Sequence, residues 1–168
     1  MPVYDVGKLI AETRRLAADY KRATGKSLAV SSEIARHDAC ELLQLELAES
    51  ETQAGYDAIG TDKSWPGLKV QIKGRAIFDE SKSGQRIGQV KIDKEWDAIA
   101  LVLMNEDFET QEIYLAKRDA MEQELAEIDS KRQNRGAMTV ARFKHIADLV
   151  WNTVDGLVLD VEENKSQS

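Results

Sequence analysis

Cysteine is nearly absent from this 168-residue chain, where Cys40 stands alone. A single thiol excludes an internal disulfide framework and a cysteine-rich zinc site. Histidine is scarce as well: His37 and His145 are the only two, too few for a histidine-built metal cage. Any metal here must be held mainly by oxygen, which selects hard divalent ions such as Mg2+, Mn2+ or Ca2+. No apolar run approaches the ~18 residues needed to span a bilayer. The start, Met1-Pro2-Val3-Tyr4-Asp5, lacks the basic and apolar regions of a secretion signal. A cytoplasmic protein with no membrane partner is the expectation. No Gly-rich phosphate loop occurs, and neither histidine has a partner motif for Ser-His-Asp or Cys-His catalysis. No organic cofactor is therefore expected.

The remaining composition is that of an ordinary globular protein, 42% hydrophobic and 32% charged. The length fits one domain able to hold a core without staples. We read residues 1–160 as a single α/β domain and 161–168 as a disordered tail.

Net charge is −7, which at first disfavours nucleic acid as a partner. The charge is segregated, however. Between Lys63 and Lys94 eight Lys or Arg stand against three acids, and between Ser130 and His145 five stand against none. An acidic protein with such blocks either presents one basic face or solvates two separate basic loops.

Apolar spacing predicts a helix over Val6–Thr24, with a stripe of Leu9, Ile10, Thr13, Leu16, Ala17 and Tyr20, ended by Gly25. A second helix starts near Ser31 or Ser32, either one its N-cap, and runs to about Leu47. Its apolar stripe is Ala35, Ala39, Leu42 and Leu43. A short strand, Tyr56 to Ile59, follows Gly55, and Trp65-Pro66-Gly67 reads as a turn. From Leu68 to Phe78 the chain alternates: Leu68, Val70 and Ile72 point one way, and Lys69, Gln71, Lys73 and Arg75 the other. Ala98 to Met104 reads as a strand buried on both faces, paired in a hairpin with Glu112 to Ala116. A charged helix over Asp119 to Ile128 and a basic loop over Ser130 to Gly136 come next. Thr139 caps a last helix with the stripe Phe143, Ile146, Ala147, Val150 and Trp151. Leu157 to Leu159 is either an edge strand or a partner contact. The expected architecture is a mixed central sheet of about four strands flanked by helices.

Gln71 and Lys73, two residues apart on one strand, share a face. The Trp65-Pro66-Gly67 loop lets the preceding strand fold back beside them. Asp57 then lies next to Gln71, within the ~4.8 Å spacing of paired strands. Asp57 would give a hard anionic oxygen to a cation and Gln71 a neutral carbonyl oxygen. Lys73 would be a point charge to orient water or to stabilise charge building on phosphorus. Glu33, at the start of the second helix, would add a second carboxylate.

Gly55-Tyr56-Asp57-Ala58-Ile59 followed by Val70-Gln71-Ile72-Lys73-Gly74-Arg75, with the upstream helix Ser32-Glu33-Ile34-Ala35, resembles the PD-(D/E)XK, or restriction-endonuclease-like, nuclease superfamily. In that family an aspartate ends one strand, acid-x-lysine follows on the next, and an upstream helix often adds a glutamate. The likeness covers roughly residues 31 to 116. It implies a restriction-endonuclease-like core and Mg2+- or Mn2+-dependent hydrolysis of DNA phosphodiesters. Asp57, Gln71, Lys73 and Glu33 would be catalytic, with Asp57, Gln71 and Glu33 on the metal. Arg75, Lys69, Lys131, Arg132 and Arg135 would hold phosphates. Gln71 replaces the usual acid, as in methylation-dependent restriction enzymes, and removes one negative charge. Cutting both strands would need two sites, so a homodimer is expected.

Each residue also has a plainer reading. Asp57 suits a turn or strand edge, and Gln71 and Lys73 suit the solvated face of an edge strand. Glu33 is a favourable acid in a first helical turn, and the basic loop simply meets water. The competing function is an inactive nuclease-like module that binds nucleic acid or a protein partner.

Overall fold

The computed structural model describes residues 5–49, 55–62, 64–77, 85–90, 92–127 and 138–158. They form one curled, mixed sheet of seven strands in sequential order, β1 to β7, with four helices. The strands are β1 Leu45–Leu47, β2 Ala58–Thr61, β3 Ser64–Ala76, β4 Ala98–Met104, β5 Thr110–Lys117, β6 Asp148–Asn152 and β7 Gly156–Leu157; the helices are α1 Val6–Thr24, α2 Ser31–Leu42, α3 Arg118–Ala126 and α4 Val140–Ile146.

The sheet corrects the expectation of a four-stranded, restriction-endonuclease-like centre. The class stays α/β, but two strands were read otherwise, and β7 at the sheet edge matches the edge-strand alternative for Leu157 to Leu159. Gln44, at φ 58°, breaks the second helix, and Leu45–Leu47 continues as β1 instead. That helix also begins without a serine cap: Ser31 is its first residue, and Val30 precedes it with no side-chain cap. The stripe from Phe143 to Trp151 has helical spacing, yet α4 ends at Ile146 and Val150 and Trp151 belong to β6. A few residues of apolar spacing cannot separate a helix from a short strand, and pairing with β5 decides. Thr139 caps α4 as expected, accepting from Arg142 N. Trp65-Pro66-Gly67 lies within β3 rather than between strands, and the hairpin turns between Thr61 and Ser64. The basic loop and the tail lie outside the described residues.

Antiparallel pairing runs through the sheet except at β3–β4, which are parallel. Parallel neighbours need a crossover. Here it leaves from Ile77 and returns at Asp97; Ile87 and Trp96 anchor it, fully buried. β4 is buried at all seven positions, as its apolar run predicts.

Two cores result. On one face Val70, Ala98, Ala100 and Val102 pack under Ile34, Ala35 and Ala39 of α2. On the other Ile99, Leu101 and Leu103 meet Ile87, Trp96, Met121 and Phe143. α1 rests on the first side through Ala17 and Ala18, while Leu9 and Leu16 of its stripe are exposed, at 42% and 60%. Among the described residues no helix is long and apolar enough to cross a membrane.

Gly74 lets α2 come down on β3. A Cβ there would sit 2.5 Å from Ala35 Cβ and 2.9 Å from Ser31 O. Neither atom can retreat without moving the helix backbone. Gly74→Ala is therefore expected to cost about 1–3 kcal/mol, read as a lower urea midpoint at unchanged m-value.

Candidate functional site

The site is built where β2 leaves β3. Asp57 stands just before β2, and its backbone N–H donates to Val70 O at 2.8 Å. Its carboxylate then takes over from the ladder: Oδ2 accepts from Ile72 N at 2.7 Å. Oδ1 lies 3.8 Å from Arg36 Nη1 on α2. Arg36 also ion-pairs with Glu33 one turn earlier. Glu33 and Asp57 are thus brought together around one guanidinium, whose side chain is 18% exposed. Arg36 was missed in the sequence, although its i,i+3 spacing from Glu33 places both on one helix face.

Gln71 lies across from Asp57, one residue beyond the Ala58–Val70 pair. Its Nε2 donates to Gly55 O at 3.0 Å. Gly55 is pressed against the end of the crossover, where a Cβ would fall 2.3 Å from Lys94 Cβ. Gln71 Oε1 is buried and has no hydrogen-bond partner among the described residues.

Lys73 and Arg75 share the face of Leu101 and Leu103, away from α2. The crossover holds both cations by its carbonyls: Lys73 Nζ donates to Gln89 O at 2.9 Å and Arg75 Nε to Arg86 O at 2.6 Å. Arg75 also donates to Gly74 O, and its burial pulls its pKa below the ordinary value. Gly88, at φ 91°, lets the strap pass; a Cβ would lie 2.6 Å from Arg75 Nη2. Asp57 therefore turns one oxygen toward α2, while Lys73 reaches to the crossover side of β3. Lys69 extends over the Tyr56 ring and ion-pairs with Glu95, which raises its pKa. Lys131, Arg132 and Arg135 lie outside the described residues.

No protein-family model matches the chain, and no curated protein matches it either.

Two further residues fix the crossover and carry no sequence signal beyond their type. Asp97 Oδ2 accepts from Lys69 N at 2.9 Å. Arg118 lies over the Trp96 ring at 4.5 Å and donates to Lys94 O and Trp96 O. Cys40 sits close enough to feel the Asp57 charge. Its pKa is pushed up to about 11, first by burial and then by Asp57, so it is a poor nucleophile. Among the described residues no three His, Cys, Asp or Glu side chains form a metal-binding group. Asp57 and Glu33 share the Arg36 guanidinium on the α2 side, and Gln71 adds a neutral amide beside Asp57.

Proposed function

We propose that this chain is a divalent-metal-dependent DNA endonuclease related to the PD-(D/E)XK nucleases. The observation that carries the reading is the buried Gln71 Oε1, which lacks a hydrogen-bond partner among the described residues beside the aspartate that leads into the neighbouring strand. Leaving such an oxygen unsatisfied costs about 1–3 kcal/mol. Unpaired polar atoms of this kind tend to mark a ligand position or a functional site. Asp57 and Gln71 would hold a Mg2+ or Mn2+ ion, with Glu33 assisting. When bound, the ion supplies Lewis-acid stabilisation of charge on the phosphoryl group.

The protein's own groups do the rest. Lys73 orients the attacking water and offsets charge at phosphorus. Arg75, Lys69 and the Lys131, Arg132 and Arg135 loop hold backbone phosphates, which makes binding salt-sensitive. Release of Lys73 and Arg75 from the crossover carbonyls precedes contact with phosphate. Cleavage of both strands calls for two copies, and a cytoplasmic homodimer is the assembly we propose.

One observation favours a second reading, a non-catalytic module that binds nucleic acid or a protein partner. Arg36 already offsets one of the two negative charges of Glu33 and Asp57, and Gln71 brings no charge. Incubating purified protein with supercoiled plasmid and Mg2+ or Mn2+ separates the two. Metal-dependent nicking supports the endonuclease. A salt-dependent gel shift without cleavage supports the module, and no DNA interaction of either kind removes both nucleic-acid readings.

A further inference from the structure

We infer that the outer flank of α1 is a self-association surface, on which a second copy of this chain lays its own α1 antiparallel. The surface does not depend on the nuclease reading, and it gives the proposed homodimer a contact face. It shows in where α1 puts its large apolar side chains. The helix seats on the body through its two buried residues, Ala17 and Ala18. Val6, Leu9, Leu16 and Tyr20 are instead exposed, at 60%, 42%, 60% and 37%. With Thr13 they recur every three or four residues and form one continuous stripe along the helix. Four of the seven large hydrophobic residues exposed among the described ones thus stand on a single helix face. That spacing, kept over two heptads, is the seam by which helices pair, whereas apolar residues exposed singly carry no such meaning.

The charges beside the stripe select the partner. Lys8, Glu12, Arg15 and Asp19 follow one another along the neighbouring strip of α1, so the sign alternates down the helix. All four are exposed. Lys8, Glu12 and Arg15 have no ion pair among the described residues, and Asp19 pairs with the exposed Arg22. An alternating row read backwards sets each charge against its opposite. In an antiparallel pair Glu12 therefore faces the partner's Arg15, and Lys8 faces the partner's Asp19. A twofold axis near Thr13 makes each contact twice, because the same patch serves both copies. Leu9 then meets the partner's Leu16 on either side of the axis. A parallel pair would set every charge opposite its own kind and align the two helix dipoles. α1 is 19 residues long, about 28 Å, so both leucines and both charge pairs fit within one helix.

The test is sedimentation of the full chain over a range of concentrations, for the wild type, Leu16→Glu, Glu12→Lys, Arg15→Glu and the double reversal Glu12→Lys with Arg15→Glu. The wild type is expected to pass from one 18.8 kDa chain to two as concentration rises. Leu16→Glu stays single, with an unchanged circular dichroism spectrum, because Leu16 already faces solvent. Each single reversal weakens the dimer by about fivefold or more, since the twofold axis repeats the like-charge contact. The double reversal pairs opposite signs again and returns to within about twofold of the wild type. A wild type that stays single at every concentration overturns the inference, as does a dimer indifferent to Leu16→Glu. A dimer broken by Leu16→Glu but weakened by neither reversal, or not restored by the double one, overturns the antiparallel pairing. Single chains that instead cosediment with phosphatidylserine vesicles, and lose this with Leu16→Glu, assign the stripe to a lipid surface and overturn it equally. Plasmid nicking is read separately, so the nuclease reading can fail or hold on its own.

Discussion

Lys73→Ala is expected to lower the rate of plasmid nicking by at least about a hundredfold, the loss typical of removing one preorganised group that stabilises transition-state charge. The substitution is suited to a clean reading because its structural cost is small. Lys73 is only half-buried, and its Nζ donates to Gln89 O at 2.9 Å. The crossover it touches is anchored elsewhere, by Ile87, Trp96 and the Arg118 hydrogen bonds to backbone carbonyls. Melting temperature should therefore fall by only a few degrees, and DNA affinity should weaken by less than about tenfold, one phosphate contact among several. Lys73→Arg keeps the charge but not the point-like ammonium, and is expected to retain DNA binding while restoring little activity. Nicking by Lys73→Ala at the wild-type rate would remove Lys73 from the chemistry, however well the protein binds DNA. A parallel loss of nicking and folding would be seen at once in the melting curve.

The elements that sequence reading finds here are those with long, one-sided patterns. The alternation from Leu68 to Arg75 divides as the structure divides it: Val70 and Ile72 go to the α2 side and Lys73 and Arg75 to the other. The all-apolar run of β4 is a central strand. α1 is bounded by Asp5 and by Gly25 in the left-handed region, and Gly25 alone was enough to place its end. What failed was short or set by distant partners. β1 has three residues, too few for any period, and exists because β2 offers a free edge. The α1 stripe shows a different failure. Spacing identifies an amphipathic helix but not which flank is covered, and small Ala17 and Ala18 take the contact while Leu16 faces solvent. The proximity of Asp57 and Gln71 was legible, because a hairpin follows from two strands and a short loop. Arg36 between Glu33 and Asp57 was not, because it depends on how α2 crosses β3, and a glycine at position 74 reveals that only once the helix is in place.

The same limit hides the most consequential polar contact in the fold, and it yields the largest expected loss of stability. Asp38 is only 7% exposed. Its Oδ1 accepts from Arg14 Nη2 at 2.8 Å, and its Oδ2 accepts from Arg14 Nη1 at 3.0 Å and from Thr110 Oγ1 at 2.6 Å. Arg14 Nη1 also donates to Phe108 O. One carboxylate thus ties α1, α2 and the start of β5 together with a bidentate pair, beside a cleft of about 640 Å3 between the two helices. In Asp38→Ala the arginine stays and loses its anion, and the Thr110 hydroxyl loses its acceptor. Breaking a buried pair from one side typically costs 3–5 kcal/mol. Arg14, 21% exposed, can recover some hydration, so the expected loss is about 3 kcal/mol. For a domain of this length that lowers the melting temperature by roughly 6–12 °C. Replacing both partners, Arg14→Leu with Asp38→Leu, removes the stranded charge, and stability should return to within about 1 kcal/mol of wild type. Because α2 carries Glu33 and Arg36 two turns or less from Asp38, the single variant should also broaden the Arg36 side-chain resonance, and the double variant should restore it. A loss below about 0.5 kcal/mol for Asp38→Ala would mean that solvent reaches this pair freely and that α2 is held on the sheet by its apolar face alone.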